Sequence, residues 1–104
     1  MTEPNLALLS QMWEKYMQAP FPPTMGRRVI EGEDMLLLDT ETAGCLVSTL
    51  SGRLDERLHA ILLDCLEAIE KVLPHIEDED TDASSYYRQL RDMAALAAET
   101  TATS

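Results

Sequence analysis

Apolar residues recur every three or four positions along most of this chain, which is the spacing of one face of an α-helix. The pattern is most regular between Leu54 and Leu73, where it holds for about five turns. The apolar positions there are Leu54, Leu58, Ile61, Leu62, Cys65, Leu66, Ile69, Val72 and Leu73. Acidic residues occupy much of the opposite side, so this segment predicts an amphipathic helix that Pro74 ends.

Two other segments show the same period. One begins at Thr2 or Asn5, either of which can cap a helix, and ends in the proline-rich stretch 19–23. Its apolar stripe consists of Leu6, Leu9, Met12, Trp13, Tyr16 and Met17. The other runs from about Asp82 to Glu99, and the residues predicted to be buried are Tyr86, Leu90, Met93, Ala94 and Ala97. The polar residues 100–104 are predicted to form a disordered tail.

Residues 34–50 allow two interpretations. A continuous helix is favoured by a wide apolar face and by Gly52, which is placed to end the helix in the left-handed conformation. Alternatively, Val29–Ile30 pairs with Met35–Leu38 in a hairpin, and the helix begins at Asp39. We favour the continuous helix because an isolated two-stranded ribbon is marginally stable.

A chain of 104 residues is long enough for one domain with one core. Its 45% hydrophobic content is that of a globular protein rather than of a disordered chain. The segments therefore predict the all-α class, in the form of a small four-helix bundle-like single domain over residues 1–99. A short β-hairpin around residues 29–38 is the one alternative to an entirely helical fold.

The formal charge of -11 limits the partners that this protein can bind. Nucleic acid and anionic membrane surfaces repel such a molecule, so we expect no direct nucleic-acid binding and no membrane binding. Cys45 and Cys65 both lie in apolar runs, and the first residues lack the pattern of a secretory signal. Reduced thiols and a cytoplasmic location are the resulting expectations.

Five carboxylates crowd into the stretch that joins the last two helical segments. They are Glu77, Asp78, Glu79, Asp80 and Asp82. One interpretation is a capped, hydrated joint, in which Asp80, Thr81 or Asp82 accepts hydrogen bonds from the first turn of the last helix. A second is that these acids continue a stripe that imitates nucleic-acid phosphates, together with Asp55, Glu56, Asp64, Glu67 and Glu70. We favour the joint.

A metal site is the third interpretation of the same carboxylates. Asp78, Asp80 and Asp82 match the opening of a calcium-binding EF-hand loop, but Ala83 and Gln89 stand where that loop needs glycine and glutamate. Zinc ligands at short spacing are also missing, since the two cysteines are twenty residues apart. We therefore expect no specific metal and no cofactor.

Two sets of residues are candidates for binding a protein. The first is the segment Phe21, Met25, Arg27 and Arg28, in which prolines could present an exposed aromatic anchor beside the only basic doublet of an acidic chain. Its alternative is that Phe21 folds back onto the bundle and the arginines neutralise nearby acids. The second set is an acidic face formed by Asp64, Glu67, Glu70, Glu77, Asp78 and Asp80.

The most economical function for this pattern is a non-catalytic protein–protein interaction or regulatory module, with a protein partner or self-association into a homodimer. One alternative is an inhibitor, immunity-type or nucleic-acid-mimic protein whose acidic face covers a basic site. The other is an enzyme or small-ligand-binding protein with a pocket near Trp13, Cys45 and His59. Gly44, which costs about 1 kcal/mol in a helix, should permit a close helix crossing or mark a kink that opens a pocket.

Overall fold

The computed structural model describes residues 4–102, and the side chains of residues 5–99. Its helices are α1 (Pro4–Gln18), α2 (Met35–Leu50), α3 (Glu56–Val72) and α4 (Thr81–Ala102), with two strands, β1 (Val29–Ile30) and β2 (Glu33–Asp34). Short 3-10 turns, Pro23–Met25 and Leu73–His75, follow α1 and α3. The predicted all-α, bundle-like class is confirmed.

Aspartates begin three of the helices. The carboxylates of Asp34, Asp55 and Asp80 accept hydrogen bonds from the backbone N–H three residues later, at 3.0, 2.8 and 3.0 Å. Each bond satisfies one of the amide groups that a first helical turn leaves without a partner. The caps therefore fix where α2, α3 and α4 start.

The segment before α2 forms a ribbon as well as a helix start. Val29 pairs with Asp34 and Ile30 with Glu33 in antiparallel register. The turn between them places Glu31 and Gly32 at positive φ, +52° and +79°. The continuous helix is thus confirmed. The alternative hairpin was wrong in its second strand, since Val29–Ile30 pairs with Glu33–Asp34 and not with Met35–Leu38, because the Asp34 cap starts α2 at Met35 and leaves residues 35–38 helical.

The end of α2 follows the sequence prediction. Gly52 has a φ of +70°, its N–H donates to the Thr49 carbonyl at 3.1 Å, and the Arg53 N–H donates to the Ser48 carbonyl at 2.8 Å. These two bonds form a Schellman motif, which requires a left-handed residue and so favours glycine. α4 extends to Ala102, beyond its expected end near Glu99, and residues 103–104 of the predicted tail lie outside the described residues.

α4 packs against each of the other three helices, and its contacts with α1 and α3 are the most extensive between helices of the bundle. All five of its predicted core residues are buried: Tyr86, Leu90, Met93, Ala94 and Ala97. α3 turns the face of Leu62, Cys65, Ile69 and Val72 inward. Truncating a side chain such as Leu90 to alanine in a core of this kind costs about 2–5 kcal/mol. Among residues 4–102, no helix combines the length and the apolar character needed to cross a bilayer.

Candidate functional site

A groove of about 640 Å³ runs between α2 and α3 and is open to solvent. α2 contributes Leu38, Glu41, Gly44 and Cys45, and α3 contributes Leu58, Ile61, Asp64, Cys65 and Ala68. Glu33 of β2 completes the lining. The groove thus has an apolar floor and carboxylates on its walls.

Gly44 lies in the middle of α2, on the wall of this groove. A Cβ atom added there would meet no atom within 4 Å, so no neighbouring helix requires a glycine at this position. The expectation that Gly44 permits a close helix crossing was therefore wrong, since the space beside it is empty. A glycine in a helix interior costs about 1 kcal/mol relative to alanine, and here the fold gains nothing in return.

Two thiols form part of the groove floor. Cys45 and Cys65 are each 3% exposed, and the Cys45 Sγ donates a weak hydrogen bond to the Leu58 carbonyl at 3.8 Å. Burial raises the pKa of Cys45 to about 11 and also raises the pKa of Cys65, against a hydrogen bond with Thr42 that lowers it. Both groups are consequently protonated at neutral pH, so the floor is uncharged and its thiols are poor nucleophiles.

Acidic residues surround the floor. Glu33, Glu41 and Asp64 are the charged residues of the groove lining. An adjoining depression adds Glu67 and Lys71, and the Lys71 Nζ lies 2.8 Å from the Glu33 Oε2. That hydrogen bond raises the pKa of Lys71 above its usual value. Lys71, the basic residue of these two linings among the residues that the structure describes, is therefore already paired, and a net negative charge remains around the groove.

The acidic residues predicted from sequence divide into two groups. Asp64 borders the groove, Glu67 lines the adjoining depression, and Glu70 is exposed elsewhere on α3. The others, Glu77, Asp78 and Asp80, lie in the joint before α4. The structure therefore brings only part of this set to one surface.

Local contacts account for most of the joint's carboxylates. Asp80 caps α4 and accepts a hydrogen bond from the Thr24 hydroxyl, and these bonds lower its pKa. Glu77 pairs with Arg88 at 3.4 Å, and Glu79 pairs with Arg28 at 2.7 Å. The capped-joint interpretation is confirmed by the Asp80 cap, whereas an uninterrupted stripe of unpaired acids is not present in this stretch.

The proline-rich candidate segment lies mostly against the bundle. Phe21 is half-buried and meets the Tyr86 ring edge-on, with ring centroids 5.6 Å apart. Met25 is 0% exposed, so its side chain belongs to the core and is not presented on the surface of this structure. Arg28 is committed to Glu79, while Arg27 is exposed. The apolar side chains turned inward because this segment covers one end of the core.

The alternative pocket near Trp13, Cys45 and His59 is not assembled. The rings of Trp13 and Tyr16 are tilted by 37° with their centroids 5.2 Å apart, and neither Trp13 nor His59 lines the groove that contains Cys45. The His59 Nε2 lies 3.4 Å from the Ala98 carbonyl of α4. Each of the three side chains thus has a different set of neighbours. Sequence spacing could not reveal this, since it fixes which side of a helix a residue occupies but not the partner helix.

A buried polar cluster went unnoticed in the sequence. The Asp39 Oδ1 accepts hydrogen bonds from the hydroxyls of Tyr16 at 2.5 Å and Tyr86 at 3.0 Å, and Asp39 is 8% exposed. Burial raises the pKa of Asp39, while the two hydrogen bonds oppose that rise. Burial also raises the pKa of Tyr86 to about 12 and that of Tyr16 further. The sequence signal that could have indicated this cluster was an aspartate at a helix position that faces inward.

Residues 5–99 contain no group of three or more histidine, cysteine, aspartate or glutamate side chains arranged to hold a metal ion. Comparisons of the chain with protein-family models, with curated proteins and with solved structures gave no match.

Proposed function

We propose that this protein is a non-catalytic interaction module that binds a helix of another protein in the groove between α2 and α3. Gly44 is the observation that carries the proposal. It weakens α2, it contacts nothing across the groove, and it leaves the wall low where a partner could enter. A glycine with a cost and no structural benefit is accounted for by close approach of a second molecule.

The shape and chemistry of the groove suit a helix. The groove lies between two helices that are in contact, and an amphipathic helix can lay its apolar face into a groove of this kind. Ile61 of α3 lines the groove and is 36% exposed. Covering this side chain would supply apolar burial at about 25 cal/mol per Å².

The thiols of the floor support binding over catalysis. Both have a raised pKa, and the His59 ring interacts with α4 rather than with either sulfur. A nucleophilic cysteine needs a nearby base or cation that stabilises its thiolate. Cys45 and Cys65 act instead as small apolar side chains that leave the floor smooth.

A different protein fits the groove better than a second copy of this chain. Two copies would each bring a charge of -11, and their grooves would bring the same carboxylates together. Like charges placed opposite each other across an interface oppose association. The acidic-inhibitor alternative uses the same charge, but the joint's acids are largely occupied by Arg28, Arg88 and the α4 cap.

A peptide-display experiment tests the proposal. A library of helical peptides of about 20 residues is selected for binding to the whole protein. The selected peptides are then titrated against two variants. Gly44→Gln places a side chain in the groove, and the control Ser51→Gln adds the same side chain at the exposed end of α2. We expect binding to wild type and to Ser51→Gln, and at least about tenfold weaker binding to Gly44→Gln.

Two results would contradict the proposal. One is that no peptide binds wild type above background. The other is that selected peptides bind Gly44→Gln as tightly as wild type, which would place their site elsewhere. Amide chemical-shift mapping locates the site in each case, because the backbone signals of α2 and α3 should change together on binding.

A further inference from the structure

The carboxylates of the groove occupy both of its walls. Glu41 projects from α2 and Asp64 from α3, and both are exposed. Among the described residues neither takes part in an ion pair, in contrast to Glu33, which is bound by Lys71. No basic side chain contributes to the groove lining. A molecule bound in the groove would therefore meet one unpaired carboxylate from each helix.

The floor between these walls is low and apolar. Gly44 and Ala68 line the groove from opposite helices, and the protonated thiols of Cys45 and Cys65 form part of its floor. Small residues on both sides leave a recess that a bulky apolar side chain can fill. Anchors of this type, inserted into a pocket with a charged rim, carry much of the binding energy in protein interfaces.

We infer that the partner of this groove is a basic amphipathic helix, with one bulky apolar residue over Gly44 and lysine or arginine on both flanks, facing Glu41 and Asp64. This inference rests on the proposed function and adds the chemistry of the partner. Charge complementarity is what selects it. A neutral helix would bury the rim carboxylates without compensation, and an acidic helix would be repelled by them and by the net charge of -11.

Three versions of one selected peptide test the inference. They carry lysine, glutamine or glutamate at the flanking positions and keep the same apolar anchor. Their dissociation constants are measured by isothermal titration calorimetry at about 50 mM and about 500 mM NaCl, which span strong and weak screening. We expect the lysine version to bind about tenfold more tightly than the glutamine version at low salt, and to lose most of that advantage at high salt.

Matched substitutions of the protein locate the charges that matter. Glu41→Gln and Asp64→Asn should each weaken the lysine peptide about threefold and leave the glutamine peptide unchanged. Glu70→Gln is the control, because it removes one negative charge from α3 at an exposed position that does not line the groove. It should change the binding of either peptide by less than a factor of two.

The outcomes separate this inference from the function on which it rests. If the glutamine peptide binds wild type as tightly as the lysine peptide, and Gly44→Gln still weakens both, the groove binds helices and the basic partner is wrong. Equal effects of Glu70→Gln and Asp64→Asn would also overturn the inference, since the peptide would then respond to the net charge of the protein and not to the carboxylates of the groove. If no version binds, the proposed function itself fails.

Discussion

Asp39 joins three helices through one oxygen atom. It lies on α2 and accepts hydrogen bonds from Tyr16 of α1 and Tyr86 of α4. The rings of the two tyrosines are also in contact, with centroids 5.3 Å apart. A buried carboxylate is tolerated only when hydrogen bonds replace its water, and the two hydroxyls do so here.

Substitution of Asp39 should separate the hydrogen bonds from the charge. In Asp39→Asn the amide oxygen can accept from both hydroxyls, so we expect the free energy of unfolding at pH 7 to change by less than about 1 kcal/mol. Asp39→Ala leaves both hydroxyls without that acceptor, and we expect a loss of about 2–4 kcal/mol. Urea unfolding followed by circular dichroism measures both, and similar losses for the two variants would contradict this role.

The same residue predicts a pH dependence. Burial raises the pKa of Asp39, so the folded state holds this proton more tightly than the unfolded state does. The contribution of Asp39 to the wild-type free energy of unfolding therefore decreases as the pH rises from the ordinary carboxyl range through the raised pKa. The difference in unfolding free energy between wild type and Asp39→Asn should shift in favour of the variant over that interval. A difference that stays constant with pH would contradict the raised pKa.

Residue-scale features were the hardest to predict. Asp39 falls directly after the apolar run 35–38, and its polarity suggested a helix start rather than a buried acceptor. The hydroxyls that satisfy it are 23 and 47 residues away along the chain. Local patterns carry no information about such distant partners, which depend on how α1 and α4 pack.

At the scale of elements, the carboxylates of the α3–α4 joint differ in what they do. Asp80 caps α4 and bonds Thr24, whereas Asp78 is exposed and has no such bond among the described residues. Asp80→Ala should therefore lower the urea midpoint. Asp78→Ala is the matched control from the same acidic cluster, and it should leave the midpoint unchanged or raise it by relieving repulsion.

The pKa of Asp80 gives this prediction a second measurement. The hydrogen bonds from Thr24 and from the backbone lower that pKa, so the stabilisation is present above the ordinary carboxyl range and is lost as the pH falls through the lowered value. The midpoints of Asp80→Ala and wild type should therefore converge at acidic pH. A gap that widens with acid would contradict the capping role.

Gly44 predicts a gain in stability. Gly44→Ala adds a methyl group into open space on α2 and removes the backbone freedom of glycine in the unfolded chain. We expect an increase of about 0.5–1 kcal/mol in the free energy of unfolding. Gly52→Ala is the contrasting variant, because φ is +70° there and a side chain is strained, so it should be destabilised. A loss of stability in Gly44→Ala would mean that the glycine serves the fold.

Elements were predictable where one periodic signal acted alone. α3 was expected from Leu54 to Leu73 and is found from Glu56 to Val72, because its apolar period and Pro74 agree. The ribbon was ambiguous, since Asp34 serves both as the last residue of β2 and as the cap of α2. The groove could not be foreseen, because it arises from the spacing between two helices rather than from either one.

At the scale of the whole molecule, we expect charge repulsion to outweigh local pairing. The described residues form four side-chain ion pairs between arginine or lysine and a carboxylate, all of them at least partly exposed. Such pairs contribute about 0–1 kcal/mol each and are weakened by salt, while the net charge of -11 is a cost that salt relieves. The balance therefore favours a fold that is stabilised by salt.

Unfolding at two salt concentrations checks this balance. We expect the urea midpoint to rise when NaCl is increased from about 20 mM to about 500 mM, since screening acts on more repulsive than attractive pairs. A lower midpoint at high salt would show that the ion pairs dominate. Binding of a basic partner in the groove should instead weaken at high NaCl, so salt has opposite effects on folding and on binding.

The position of Trp13 gives the molecule a built-in optical probe. This indole is the only tryptophan of the chain, and it lies against Tyr16, whose hydroxyl ties α1 to Asp39. Its emission should consequently report whether α1 is docked. Since Trp13 does not line the groove, its fluorescence emission should stay constant when a ligand binds between α2 and α3. A shift of the emission maximum on ligand addition would show that α1 responds to binding in the groove.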